Sequence, residues 1–211
     1  KFYGYEGEAW FLTTISTTSV LPETLTITAK ASWLACKEQC MPGDAELSLV
    51  IRSGTQTTID PDLVTAFATA RAGMPLEQAP WTLTVSEDKD LVAINMIPGF
   101  GAVDAPEDVH FFSSDRQDDA QKPQKLTALP NGGWRLEVPR ALEDSFGDPI
   151  ERLPHLSGIL KASNGWLADN PAPKGIALNE LPITSEPGGG QTVASGGTGL
   201  PLPAILGLML L

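Results

Sequence analysis

The chain of 211 residues is 42% hydrophobic, with five Trp and seven Phe, which is enough apolar material for one large or two small domains with buried cores. Gly (20) and Pro (18) are plentiful and strand-like runs outnumber helical ones, a balance that predicts an all-β sandwich architecture rich in turns. The formal net charge of −12, from 26 acidic and 14 basic residues with no basic cluster, excludes nucleic acid as an expected partner.

The sequence opens on Lys1 with no leader-like segment before the first domain, so its N-terminus is expected to be processed or missing. Glu8 to Ile15 (EAWFLTTI) reads as a strand. Thr24 to Leu34 (TLTITAKASWL) alternates, with Leu25, Ile27, Ala29, Ala31 and Trp33 on one face and polar residues on the other. Leu47 to Ile51 reads as a further strand. Asp60 to Arg71 predicts the best helix: Asp60 caps it, Pro61 suits the first turn, and Leu63, Phe67 and Ala70 share a face. Gly73 and Pro75 end it.

A second set of strands follows at Trp81–Val85, Leu91–Ile97, Val109–Phe112, Lys125–Ala128, Trp134–Val138 and Ser157–Ala162. Turn signals such as Asn131-Gly132-Gly133 and Pro98-Gly99 separate them, which suits a second small sandwich. Trp33, Trp81, Trp134 and Trp166 are expected in the cores. The predicted organisation is a first module over residues 1–76, incomplete at its N-terminal side, and a second over 77–183, with the boundary falling between Met74 and Pro80. A flexible Gly/Ser-rich linker occupies 184–199. The uncharged run at 200–211 (LPLPAILGLMLL) is read as the start of a transmembrane helix, since a full span needs about 20 apolar residues.

The chemistry concentrates at two cysteines, in Trp33-Leu34-Ala35-Cys36-Lys37-Glu38-Gln39-Cys40-Met41-Pro42-Gly43. Cysteines this close can be bridged if the loop curls by one turn. Three readings stay open on spacing alone. A structural staple over so short a loop restrains the unfolded chain only modestly. A labile, redox-active pair suits a short exposed loop; Lys37 favours a thiolate and Glu38 opposes it. Two thiolates also suit a soft ion such as Cu(I), although a structural zinc site needs four ligands. Cys36 continues a strand and is expected to be partly buried, whereas Cys40 precedes a turn and is expected nearer solvent.

The remaining polar groups suggest less. His110 and His155 are expected to play structural roles in the second module. Glu107, Asp108, Asp115, Asp118 and Asp119 form an acidic stretch without a calcium-loop pattern, as expected of a solvated loop. Gly188-Gly189-Gly190 lacks the Lys-Ser/Thr of a phosphate loop, and no Gly-x-Ser-x-Gly elbow is present.

The segment WLACKEQCMPGDAELSL resembles the N-terminal periplasmic domain of the membrane thiol:disulfide interchange proteins, the DsbD family, and in particular its copper-sensitivity-suppressor branch, ScsB. The matching residues are Trp33, Leu34, Cys36, Lys37, Cys40, Pro42 and Gly43. Tyr3-Gly4-Tyr5-Glu6-Gly7-Glu8, Val109 to Asp115 and Leu156 to Trp166 are similar to further segments of that family. The resemblance implies two immunoglobulin-like modules and a redox-active disulfide with no other cofactor. Cys40 would attack partner disulfides and Cys36 would resolve the intermediate. It also implies a protein-disulfide reductase role on the periplasmic face of the bacterial inner membrane. Partners would be thioredoxin-like periplasmic proteins and the membrane and thioredoxin-like domains of the same full-length protein. Phe2 and Tyr3 fall near the place of an aromatic cap over the pair. The spacing of three residues between the cysteines matches the ScsB-like branch, whereas the family's best-known member has five. The alternatives implied by the residues are an interaction module with a structural bridge and a copper-handling module.

Overall fold

A computed structural model describes residues 4–5, 7–37, 39–54, 60–144 and 146–184. The expected aromatic cap (Phe2, Tyr3), most of the Gly/Ser-rich linker and the apolar run from Leu200 onward lie outside the described residues. Among the described residues, no helix is long and apolar enough to cross a membrane. The architecture is mostly β, with one helix, and the chain falls into two compact units: residues 10–67, and residues 68–184 with the N-terminal residues up to Ala9.

In the first unit, β1 (Thr24–Cys36) and β2 (Cys40–Arg52) form an antiparallel hairpin of thirteen residues a side, in unbroken register from Thr24↔Arg52 to Cys36↔Cys40. The alternation of the sequence sets the faces, because residues directly opposite each other share a side of the ribbon. One face carries Leu25–Ile51, Ile27–Leu49, Ala29–Leu47, Ala31–Ala45, Trp33–Gly43 and Ala35–Met41. The other carries Thr24–Arg52, Thr26–Val50, Thr28–Ser48, Lys30–Glu46 and Ser32–Asp44, polar but for Val50. Ile51 is buried and Leu25 and Ile27 are partly so, whereas Leu47, Trp33 and Met41 on the same face are 61%, 50% and 69% exposed. Trp33 is therefore not a core residue: alternation marks its face as apolar, but no second sheet covers that face among the described residues.

The segment from Glu8 to Ile15 is irregular rather than a strand. No strand pairs with it among the described residues, so its backbone groups have no ladder to join. Its aromatic Trp10 instead meets Phe67 edge-on, with ring centroids 6.2 Å apart. Phe67 belongs to helix α1 (Pro61–Ala72), which begins as the sequence predicts. The Asp60 carboxylate accepts from the Asp62 amide at 2.9 Å, and the Asp60 carbonyl accepts from Val64 at 3.0 Å.

The second unit holds seven strands: β3 (Trp81–Asp88), β4 (Leu91–Pro98), β5 (His110–Ser113), β6 (Lys125–Ala128), β7 (Trp134–Pro139), β8 (His155–Lys161) and β9 (Gly175–Thr184). They hydrogen-bond in the order β5-β8-β9-β3-β4-β7-β6. Every pairing is antiparallel except β3 with β9, at Val85↔Ile183 and Ser86↔Thr184. Lettered A to G in chain order, the strands make an ABED sheet and a CFG sheet, linked where A runs parallel to G. That is the constant-type immunoglobulin arrangement.

Its core is Val85, Val92, Ile94, Met96, Phe111, Leu136, Val138, Leu156, Leu160 and Leu178, with Trp81 against Trp166. The two indoles meet edge-on at 5.4 Å. Trp81 Nε1 donates to the Trp166 carbonyl at 2.9 Å, and Trp166 Nε1 donates to the carbonyls of Leu160 and Lys174, both at 3.1 Å. Both indoles are thus buried with their one polar atom satisfied. Strand β8 shifts register between Leu156 and Gly158, where a side chain would meet the Phe112 carbonyl; glycine at φ +154° permits that approach.

Candidate redox site

Cys36 and Cys40 are joined as a disulfide, with Cα atoms 4.0 Å apart, and form the last register pair of the β1–β2 hairpin. The loop they enclose is residues 37–39, one of the common hairpin lengths. Within it the Lys37 amide donates to the Gln39 carbonyl at 3.3 Å. Twelve further cross-strand pairs run from Ala35↔Met41 back to Thr24↔Arg52.

Both cysteines are exposed. The expected partial burial of Cys36 is not found, because the ribbon extends to its tip without a covering layer among the described residues. Exposure thus gives partner sulfurs access to either thiol and does not by itself separate their roles.

The register places the cysteine pair on the ribbon's polar face. The neighbouring pair on that face is Leu34–Pro42, and Ser32–Asp44 and then Lys30–Glu46 follow. Lys30 Nζ stands 3.6 Å from Glu46 Oε2, with both side chains largely exposed. On the opposite face the Trp33 indole lies over Gly43: a Cβ at position 43 would fall 2.6 Å from Trp33 Cε2 and Nε1. The glycine of the Pro42-Gly43 turn signal is therefore a strand residue whose missing side chain seats an indole.

The other polar residues singled out in the sequence lie in the sandwich. The Gln124 side-chain amide stands 3.3 Å from His110 Nε2, and the His110 ring tilts against Phe112 at 4.7 Å. His155 opens β8. Asp115 accepts from the Ser113 hydroxyl at 2.6 Å, Asp118 accepts from the Ser113 amide at 3.3 Å, and Asp119 meets Lys122 at 3.0 Å. These carboxylates are bound into their own turns. Among the described residues no three His, Cys, Asp or Glu side chains gather as a metal-binding group.

Sequence reasoning missed a buried polar cluster in this unit. Arg140 is fully enclosed, its Nη2 donating to the Leu153 carbonyl at 3.0 Å and its Nε 3.2 Å from Glu87 Oε1. Burial lowers the guanidinium pKa, Glu87 opposes that shift, and Arg152 adds to it. Arg152 bridges Glu87 at 3.1 Å and also pairs with Asp90. Buried Gln117 ties the same corner together, donating to the Glu151 carbonyl and accepting from the Leu153 amide. Two shallow cavities, of about 260 and 240 Å³, flank this corner; residues of the sandwich line both, and neither cysteine takes part.

No family model matches the chain, and no curated protein does. Among solved structures, the chain is similar to the N-terminal periplasmic domain of ScsB from Proteus mirabilis, at a TM-score of 0.46 and 14% identity. The match covers 72% of this chain and 55% of that one, so the chain spans about half the length of that structure.

Proposed function

We propose that the chain carries a thiol–disulfide exchange site at Cys36 and Cys40 that passes reducing equivalents to oxidised partner proteins. The observation that carries this reading is the placement of the disulfide: exposed, closing three residues, and forming the last of the thirteen register pairs of its hairpin. A staple over so short a loop contributes only modestly to stability, while an accessible disulfide is suited to exchange.

In the exchange, the Cys40 thiolate attacks a partner disulfide, forming a mixed disulfide and releasing one partner thiolate. The Cys36 thiolate then attacks Cys40 Sγ, restoring the Cys36–Cys40 bond and releasing the partner fully reduced. The pair must afterwards be reduced again by a dithiol donor. The family resemblance of the segment around Cys40 supports this division of roles. It also supports a periplasmic setting, a membrane tether through residues 200–211, and thioredoxin-like partners. The uncovered apolar face of the hairpin supports reading residues 1–76 as an incomplete sandwich beside the complete one at 77–183.

A Cys36→Ser variant, incubated with an oxidised thioredoxin-type protein, is expected to accumulate a covalent complex through Cys40. Cys40→Ser should trap roughly tenfold less, as expected when one sulfur attacks and the other resolves. The reverse pattern would exchange the roles, and no trapping by either variant would remove the exchange function.

A further inference from the structure

The register of the β1–β2 hairpin fixes which way its backbone groups point. One step before Thr24↔Arg52 the Ser53 amide donates to the Glu23 carbonyl at 3.0 Å, and one step past Cys36↔Cys40 the Lys37 amide donates to the Gln39 carbonyl at 3.3 Å. Hydrogen-bonded and non-bonded pairs alternate along an antiparallel ladder. Cys36–Cys40 is therefore a non-bonded pair, in keeping with its Cα separation of 4.0 Å, and so is every second pair from it. The amide and carbonyl groups of Cys40, Asp44, Glu46 and Ser48 thus point away from β1, along the outer edge of β2. Pro42 belongs to the same row, and a proline fits there because the amide it lacks would have made no ladder bond.

Among the described residues nothing occupies that edge: β2 pairs only with β1, and Cys40, Pro42, Asp44, Glu46 and Ser48 are all exposed. One edge strand of the sandwich, β5, is treated differently. The Gln124 side chain accepts from the Phe111 amide and donates to the Phe111 carbonyl, both at 2.8 Å, and Asp118 accepts from the Ser113 amide at 3.3 Å. An edge capped by side chains in this way is closed to a further strand. The edge of β2 is open, and it starts at the disulfide. The chemistry supplies the side of approach. One sulfur displaces another along the S–S axis, so a sulfur that attacks Cys40 while Cys36 leaves must arrive from outside β2.

We infer that the outer edge of β2 receives an extended segment of the redox partner, which adds as a further strand and brings its cysteine opposite Cys40. The inference rests on the exchange function and on the role of Cys40 proposed above. Recognition runs through the main chain, so it fits partners of differing sequence that share an extended, cysteine-bearing segment. Cys40 and Asp44 each offer an amide and a carbonyl, and Pro42 offers its carbonyl alone. The missing Pro42 amide keeps the pairing weak, as suits a partner that must leave. In the mixed-disulfide step the segment's thiolate attacks Cys40 Sγ of the oxidised pair. A bond forms between the two sulfurs, the Cys36–Cys40 bond breaks, and Cys36 leaves as its thiolate. The segment's own thiol is the reductant, and no other enters.

The test uses the full chain in its oxidised form with three probes: dithiothreitol, a short neutral peptide with one central cysteine, and that peptide N-methylated at alternate residues so that it cannot pair. The two peptides carry the same charge and side chains, so the net charge of −12 weighs equally on both. The unmethylated peptide is expected to form the mixed disulfide about tenfold faster, the size of one or two net hydrogen bonds. Asp44→Pro removes an outward amide without breaking a ladder bond and should bring that ratio close to one. Asp44→Ala, which loses the carboxylate but keeps the amide, should preserve the ratio, as should Ser32→Pro, the matching change on the edge of β1. The dithiothreitol rate should stay unchanged in all three variants, with amide exchange in β1 and β2 reporting an intact hairpin. Loss of the ratio with Ser32→Pro instead would move the docking to β1 and overturn the assignment. A parent chain that is dimeric in solution and turns monomeric with Asp44→Pro would give the edge to a second copy and likewise overturn it. Equal peptide rates on the parent, with dithiothreitol still reducing the pair, would overturn strand addition and leave exchange standing. Failure of all three probes to open the disulfide would overturn both.

Discussion

At position 43 a side chain has nowhere to go. The Trp33 indole covers the backbone there, with Cε2, Nε1 and Cζ2 all within 2.8 Å of where a Cβ would stand. Gly43→Ala is therefore expected to displace the indole and weaken the distal ribbon by about 1 kcal/mol, the size of a good cross-strand pair. The check is the Trp33 indole cross-peak in the NMR spectrum together with amide exchange in β1 and β2. An unmoved cross-peak with unchanged exchange would show that the indole does not rest on Gly43. At this scale the sequence was legible in part. Cysteine spacing exposed the chemistry, but spacing alone left a staple, a redox pair and a metal site open. Alternation put Trp33 on an apolar face, but it carries no information on whether another layer covers that face.

Among the elements, β1, α1 and six strands of the sandwich follow their sequence patterns closely, because each has clear periodicity or clear turn signals at its ends. Strand β9 was not legible. Pro182 interrupts it, Asn179-Glu180 is polar, and Glu180 takes a positive φ of 49°, so the segment lacks a strand-like pattern. It forms because tertiary pairing with β8 and β3 outweighs local preference. The predicted strand at Glu8–Ile15 fails for the converse reason: it has the composition but no partner. The corner between β7 and β8 was equally opaque, since Arg140 and Gln117 look like surface residues in sequence. Its energetics are asymmetric. Glu87→Ala leaves the enclosed Arg140 charge without its ion partner and is expected to cost about 3 kcal/mol, whereas Arg140→Met removes the buried charge itself and is expected to cost under about 1 kcal/mol. Urea unfolding of the two variants decides this; equal losses would show that the pair does not act as a buried ion pair.

Across the whole molecule, the redox pair and the main hydrophobic core belong to different units. The sandwich contains the core, the paired tryptophans and the buried arginine, while the disulfide closes only three residues at the tip of the β1–β2 hairpin. No residue of the sandwich core belongs to the hairpin that the bond closes. This separation is what an exchange site requires, because the fold must tolerate both redox states. The most direct test is the reduction potential of the Cys36–Cys40 pair, measured at equilibrium in a redox buffer with circular dichroism recorded in both states. The account predicts a potential above about −300 mV, outside the range typical of structural disulfides, with the β spectrum retained on reduction. A potential below that value, or loss of the fold when the bond opens, would contradict it.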